Sequence, residues 1–209
     1  MILLLIVITV VVSALCFRQR DLFYRLALSP FQVVHSKQYY RLLTHMFVHG
    51  SWLHLIINML VFYSFASEVW ELFHSLADSG WVSVPTLHFL TLYLGGGVTA
   101  AVLGLPKQKD NPAALSVGAS GGVASVIFAS IFFDPWTPLY LFALVPIPGI
   151  LLGVGYVVYS WRMAARNVND HIDHRAHLYG AIFGFIYPLL MNPKLISFFL
   201  SAITDLPWF

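Results

Sequence analysis

Long apolar runs alternate with short polar intervals along this chain, and most of the runs approach bilayer length. A helix crossing the ~30 Å hydrocarbon core of a membrane needs roughly 20 predominantly apolar residues. Six stretches come close: Met1–Phe17, about Ser51–Trp70, about Val84–Leu105, about Ser120–Phe133, about Leu139–Trp161 and about Ala176–Met191. They predict an all-α membrane protein, a six-transmembrane-helix bundle over residues 1–195, followed by a short interfacial tail over 196–209. The first run lacks a basic leader and a small-x-small cleavage site, so a retained span is expected there rather than a signal peptide. Composition agrees with lipid as the solvent. Apolar residues make up 59% and charged residues 10% of the 209 positions, and mean hydropathy is +0.79. A soluble fold of this length would need more polar surface.

Strict alternation of six spans has a consequence for chemistry. Spans two, four and six run in the same direction, so their N-terminal ends share one side of the membrane. His54 and Asn58 lie in the first turns of span two, Ser120 opens span four, and His177 lies near the start of span six. Four polar groups therefore converge at similar depth. Span four is also short: Ser120 to Phe133 covers about 21 Å at ~1.5 Å per residue. Asp134-Pro135 ends it on the far side. Its first turn is expected below the membrane surface, in protein or facing a water-filled cavity.

The residues at that convergence suit hydrolysis. Ser120 sits in Gly118-Ala119-Ser120-Gly121-Gly122 at a helix start, where glycines let a substrate approach and unpaired N–H groups favour developing negative charge. A serine alcohol needs a base to become a nucleophile, and His177 is the candidate. Gly180 and Gly184 share its helical face in a small-xxx-small pattern that lets two helices touch. The slim Gly121 and Gly122 of span four are the expected partners. His54 and Asn58, four apart on one face, offer a ring N–H and an amide to an oxyanion, beside the backbone N–H of Ser120. Asp170 and Asp173 fall in the loop before span six, which predicts a Ser–His dyad rather than a triad.

Other polar groups are expected to be structural. His45 and His49 make hydrogen bonds, while His171 and His174 are loop residues. Arg41, in a mostly apolar first loop, needs a loop carbonyl or a carboxylate. No HExxH pair is present, so neither a metal nor a cofactor is expected. The net charge of +2 with scattered basic residues leaves no nucleic-acid footprint, and Cys16, being alone, forms no internal disulfide.

Three blocks in order resemble the rhomboid intramembrane serine proteases: Tyr40-Arg41-Leu42-Leu43-Thr44-His45 continuing through His54 to Asn58, Gly118-Ala119-Ser120-Gly121, and Ala176-His177 with Gly180 and Gly184. The resemblance covers Tyr40 to Gly184. It implies a Ser120–His177 dyad, oxyanion or substrate binding by His54, Asn58, Gly118 and Ala119, and structural support from Arg41, Gly121, Gly180 and Gly184. It implies the lipid bilayer as surroundings and single-pass transmembrane protein substrates, cut near the membrane surface, often beside small residues where a helix unwinds easily. Span five, with Pro146, Pro148, Gly149, Gly153 and Gly155, is then the candidate for a loosely packed helix that admits substrate.

The chain departs from the family's pattern in places. Ala66 takes a position that is often glycine, with Glu68 or Glu71 as the acid after it. Ala124 and Ser125 stand where many members carry an aromatic residue packed on the histidine, with Phe128 a turn later, and Tyr179 replaces a smaller residue. Family precedent implies a bacterial plasma membrane with the active site facing the extracytoplasmic side. The charge bias argues the reverse, since Arg18, Arg20, Arg25, Lys37, Arg41, Lys107, Lys109, Arg162, Arg166 and Arg175 lie on the active-site side and only Lys194 lies opposite. Two other functions compete. A catalytically inactive rhomboid-like protein that binds membrane helices would usually lack the serine or the histidine. A His-lined metal transporter would string ionisable residues through the membrane instead of gathering them at one side.

Overall fold

The computed structural model describes residues 1–141, 144–166 and 173–206. It is predominantly helical. Helix α1 (Ile2–Arg18) turns Leu5, Thr9, Ser13 and Cys16 inward along one stripe, while Leu3, Leu4, Val7 and Val11 face outward. The first loop is ordered as three short helices, α2 (Arg20–Leu26), α3 (Pro30–His35) and α4 (Arg41–Thr44), and a 3₁₀ turn, His45–Phe47. Ser29 caps α3 and Pro30 occupies its first turn, where a missing N–H costs nothing.

Arg41 holds that loop together. Its Nη1 donates to the carbonyls of Tyr24 and Ala27 at 2.7 and 2.6 Å, and its Nε donates to Gln38 Oε1 at 2.7 Å. The predicted acceptor is thus a pair of loop carbonyls. A planar guanidinium with several donors suits them better than a single ammonium would.

Helix α5 (Trp52–Asp78) runs 27 residues, well past the predicted Trp70. Helix α6 (Pro85–Leu90) passes through a π turn, Thr91–Gly95, into α7 (Gly96–Gln108). Ser125 Oγ of the next helix lies 2.7 Å from Leu92 O in that turn, a side-chain partner for a backbone group where the helical ladder is disturbed. Helix α8 (Ser120–Phe133) matches the predicted fourth span and is buried along nearly its whole length.

Span five differs from expectation. Strands β1 (Pro138–Leu141) and β2 (Val145–Pro148) form an antiparallel hairpin, and helix α9 (Gly149–Arg166) starts only after it. Pro138, Pro146 and Pro148 explain the difference: proline lacks the amide proton and disfavours helical geometry in the residue before it. Helix α10 (His174–Met191) follows, capped by Asp173. A 3₁₀ turn at Pro193–Leu195 bends the chain by 113° into α11 (Ile196–Thr204). Phe199 of α11 stacks on Phe132 at 5.2 Å, which seats the tail against α8. Residues 207–209 lie outside the described residues.

Among the described residues, Trp52–Asp78 and the continuous Pro85–Gln108 are long and apolar enough to cross a membrane. The bent pair His174–Met191 with Pro193–Thr204 makes a third if taken as one span, and Ile2–Arg18 and Ser120–Phe133 are shorter apolar helices.

Contacts fix the directions. A Cβ built on Gly180 would strike the Gly121 carbonyl, and one on Gly184 would strike the Ser125 carbonyl. Equal steps along both helices mean that α8 and α10 run parallel. His54 meets Gly118 at one end, and Glu68 accepts a hydrogen bond from Ser130 further along (3.2 Å), so α5 runs parallel to α8 as well. The starts of α5, α8 and α10 therefore lie at one end of the packed helices.

Candidate active site

The site is built where α5, α8 and α10 begin. Gly118 has φ +120°, and a Cβ there would sit 2.9 Å from both Cε1 and Nε2 of His54. Only glycine serves at such a position, for backbone and space together. The close approach lays the His54 ring against the turn that leads into Ser120. Ser120 is the first residue of α8 and is partly exposed. Ser51 caps α5, its Oγ accepting from the His54 amide at 3.2 Å, which sets the turn that carries His54. Asn58 is buried, and its Nδ2 donates to His54 O at 3.0 Å. One of its two amide protons is thereby used within its own helix.

His177 stands one turn into α10, its amide donating to Asp173 O at 3.2 Å. Gly121, beside Ser120, lies against Ala176, beside His177: a Cβ on Gly121 would be 3.5 Å from Ala176 O. The serine and the histidine therefore flank one backbone-to-backbone contact. Gly180 sits on Gly121, and Gly184 on Ser125, in the predicted small-residue seam.

The turn before the serine is anchored from the first loop. Gly118 N donates to His45 O at 3.1 Å, and Ala119 N donates to His49 Nε2 at 3.5 Å. His45 and His49 thus make hydrogen bonds, as expected, and those bonds occupy the amides of the two residues ahead of Ser120. Burial pushes the His45 ring down to about 4 and the His49 ring down to about 3, so both are neutral near pH 7.

Three features go beyond the sequence reading. The aromatic partner missing from α8 comes from α9: Tyr156 stacks on His177 with ring centroids 6.0 Å apart and planes at 22°, with Phe128 against Tyr156 at 5.9 Å. His174, expected in a loop, is the buried first residue of α10, edge-on to Tyr159 at 5.5 Å. Capping by Asp173 lets the helix begin that early. Asp173 accepts from Ala176 N at 3.0 Å and from Ser116 Oγ at 2.8 Å, tying the start of α10 to the segment before Ser120. Ser116 in turn pairs with Leu28 through two backbone bonds. A cap residue before an apolar run is a readable signal; contacts from α9 are not.

Of the two candidate acids, Glu68 meets α8 through Ser130, while Glu71 is exposed. Asp170 and His171 lie outside the described residues.

Fold and site together define a helical membrane protein whose polar groups gather at one end of a tightly packed seam. The family comparison is direct: the Rhomboid domain model matches residues 36–194, and the chain belongs to the rhomboid family. Presenilin-associated rhomboid-like protein A, mitochondrial, of Danio rerio is 29% identical over 152 residues, covering 68% of this chain and 34% of that protein. RHOMBOID-like protein 12, mitochondrial, of Arabidopsis thaliana is 27% identical over 161 residues, covering 70% of this chain and 44% of the relative. Rhomboid-like protease 5 of Toxoplasma gondii is 26% identical over 164 residues, 77% of this chain and 17% of the relative. The chain spans less than half the length of each of these curated relatives. The expectation of a bacterial plasma membrane is corrected by them: two of these relatives are named mitochondrial.

Proposed function

We propose that this chain is an intramembrane serine endopeptidase that cleaves single-pass transmembrane proteins. The observation that carries the reading is the packing of Gly121 against Ala176 and Gly180, Gly121 being the neighbour of Ser120 in sequence and Ala176 the neighbour of His177. Ser120 Oγ attacks the scissile carbonyl carbon as its proton passes to His177. The C–N bond then breaks while His177 returns that proton to the leaving amine, and the acyl group remains as an ester on Ser120. Water, deprotonated by the same ring, releases the acid and restores the hydroxyl. The oxyanion is held by the Ser120 amide, the His54 ring and the second amide proton of Asn58. Each such donor is worth about 100- to 1000-fold in rate. Asp173 serves as a helix cap and a partner of Ser116, which supports a dyad.

The same reading takes the apolar helices as six spans, with residues 1–195 as the catalytic domain and 196–209 as an interfacial tail. Substrate enters beside α9, and its helix must unwind locally before a peptide bond can reach Ser120. The mitochondrial names of two relatives support a mitochondrial membrane as the site of action.

The test is reconstitution in liposomes with a generic single-pass substrate. Wild type cuts it with or without chelator; Ser120→Ala and His177→Ala do not. Cleavage that survives Ser120→Ala ends the reading.

A further inference from the structure

His49 is fully buried, lies outside the groups assigned to catalysis, and makes polar contacts in two directions. On one side its Nδ1 is 2.9 Å from Ser13 Oγ of α1, and that hydroxyl is also 2.9 Å from Phe47 O. On the other side its Nε2 faces the amide of Ala119 at 3.5 Å. Its ring is also edge-on to His54, with centroids 5.0 Å apart and planes at 71°.

Proton counting decides the tautomer. A carbonyl only accepts, so the single Ser13 hydroxyl proton goes to Phe47 O, and Ser13 Oγ is left to accept from Nδ1–H of His49. An amide only donates, so Nε2 must present its lone pair to Ala119. Both ends demand the same neutral ring, and the bonds run in one direction: Ala119 N–H to Nε2, Nδ1–H to Ser13, Ser13 O–H to Phe47 O. The Nε2–H tautomer would leave two donors facing each other at Ala119 and two acceptors competing for one proton at Ser13.

We propose that His49, locked in the Nδ1–H tautomer by Ser13, is a positioning residue that fixes the turn before Ser120 and the wall formed by the His54 ring. This rests on the protease reading above. His49 touches no reacting atom. It holds the backbone immediately ahead of the nucleophile and one face of an oxyanion donor, so the Ser13 hydroxyl links the first helix to the site. A misplacement of about 1 Å at such a site can cost on the order of 100-fold in rate.

The experiment uses the full chain in detergent with three readouts. Labelling of Ser120 by a fluorophosphonate reports the nucleophile, cleavage of a single-pass substrate separates kcat from KM, and nitrogen-15 NMR of the histidine rings reports the tautomer. Wild type is expected to label, with His49 as Nδ1–H. Ser13→Ala should shift His49 towards Nε2–H and lower labelling rate and kcat about tenfold, with KM changed less than twofold. His49→Phe, which keeps a flat ring but has no nitrogen, should lower both about a hundredfold. His49→Gln, whose side-chain oxygen can accept from Ala119, should recover part of the loss. If wild type labels but Ser13→Ala and His49→Phe label and turn over at its rate, His49 is only structural and the proposal fails, even if their melting temperatures fall. An Nε2–H ring in wild type overturns it as well. A wild type that does not label ends the protease reading first and this proposal with it.

Discussion

Tyr156 of α9 lies stacked on His177 of α10, 6.0 Å between ring centroids and 22° between planes. The imidazole thus has an aromatic wall supplied by the helix that stands beside the proposed entry route. That helix is set off from α8 and α10 elsewhere by an apolar cavity of about 290 Å³, lined by residues such as Ile131, Gly153, Val157 and Ile182. A ring pair of this kind is worth about 0.5–1.5 kcal/mol. Tyr156→Ala is therefore expected to lower kcat by up to about tenfold, and Tyr156→Phe to keep most of it. Turnover of a single-pass substrate at saturating concentration measures both. Equal rates for Ala and wild type would remove Tyr156 from any part in holding His177.

The α8–α10 seam makes a sharper contrast. Gly180 and Gly184 press on carbonyl oxygens of α8, whereas a Cβ on Gly155 would meet nothing within 4 Å. Overpacking of a fitted interface costs about 1–3 kcal/mol, and here the obstacle is backbone, which cannot rotate aside. Gly180→Ala and Gly184→Ala should lower the thermal midpoint and abolish cleavage together. Gly155→Ala should leave both unchanged. A seam that tolerates alanine at Gly184 would mean that the two helices are not in this register.

The first loop depends on Arg41. Replacing it with alanine leaves the carbonyls of Tyr24 and Ala27 without their donor, and a hydrogen bond to a charged group contributes about 1.5–3 kcal/mol. Arg41→Ala should cost at least that in unfolding free energy. Arg41→Lys should recover only part of it, because an ammonium lacks the guanidinium's fork. Denaturation in mixed detergent micelles distinguishes the three chains.

Acid should destabilise the fold through the buried first-loop histidines. Desolvation holds His45 at about 4 and His49 at about 3, below the ordinary 6.5 of an exposed ring. The unfolded chain therefore binds more protons than the folded one between pH 6.5 and about 3. Stability from this source is full above pH 6.5 and is lost as pH falls towards the folded values. Melting temperature measured from pH 8 to pH 4 should be flat at first and then fall. His49→Gln should reduce the slope of the fall, and an unaltered slope would show that His49 does not contribute.

Much of this was legible in the residues alone. Apolar runs of near-bilayer length announced the helices, because a backbone in lipid must satisfy its own hydrogen bonds. Spacing put His54 with Asn58, and Gly180 with Gly184, on single helix faces. Counting six alternating runs led to the expectation that the starts of α5, α8 and α10 converge, and contacts between those helices put the three starts at one end. Caps and prolines are local signals too. Ser51 and Asp173 mark helix starts, and the prolines at 138, 146 and 148 held the information that span five begins as a hairpin, which the apolar run concealed.

What a one-dimensional pattern cannot carry is which side chain from a distant element fills a gap. The aromatic wall on His177 comes from Tyr156, on another helix and in no motif with it. The hydroxyl that sets the His49 tautomer comes from Ser13, an inconspicuous polar residue in an apolar helix. The sequence determined which segments are helices and which residues their slim and polar faces carry, since both follow from period and side-chain size. The tertiary structure alone decided which faces meet, because packing and proton matching depend on distances that no spacing along the chain encodes.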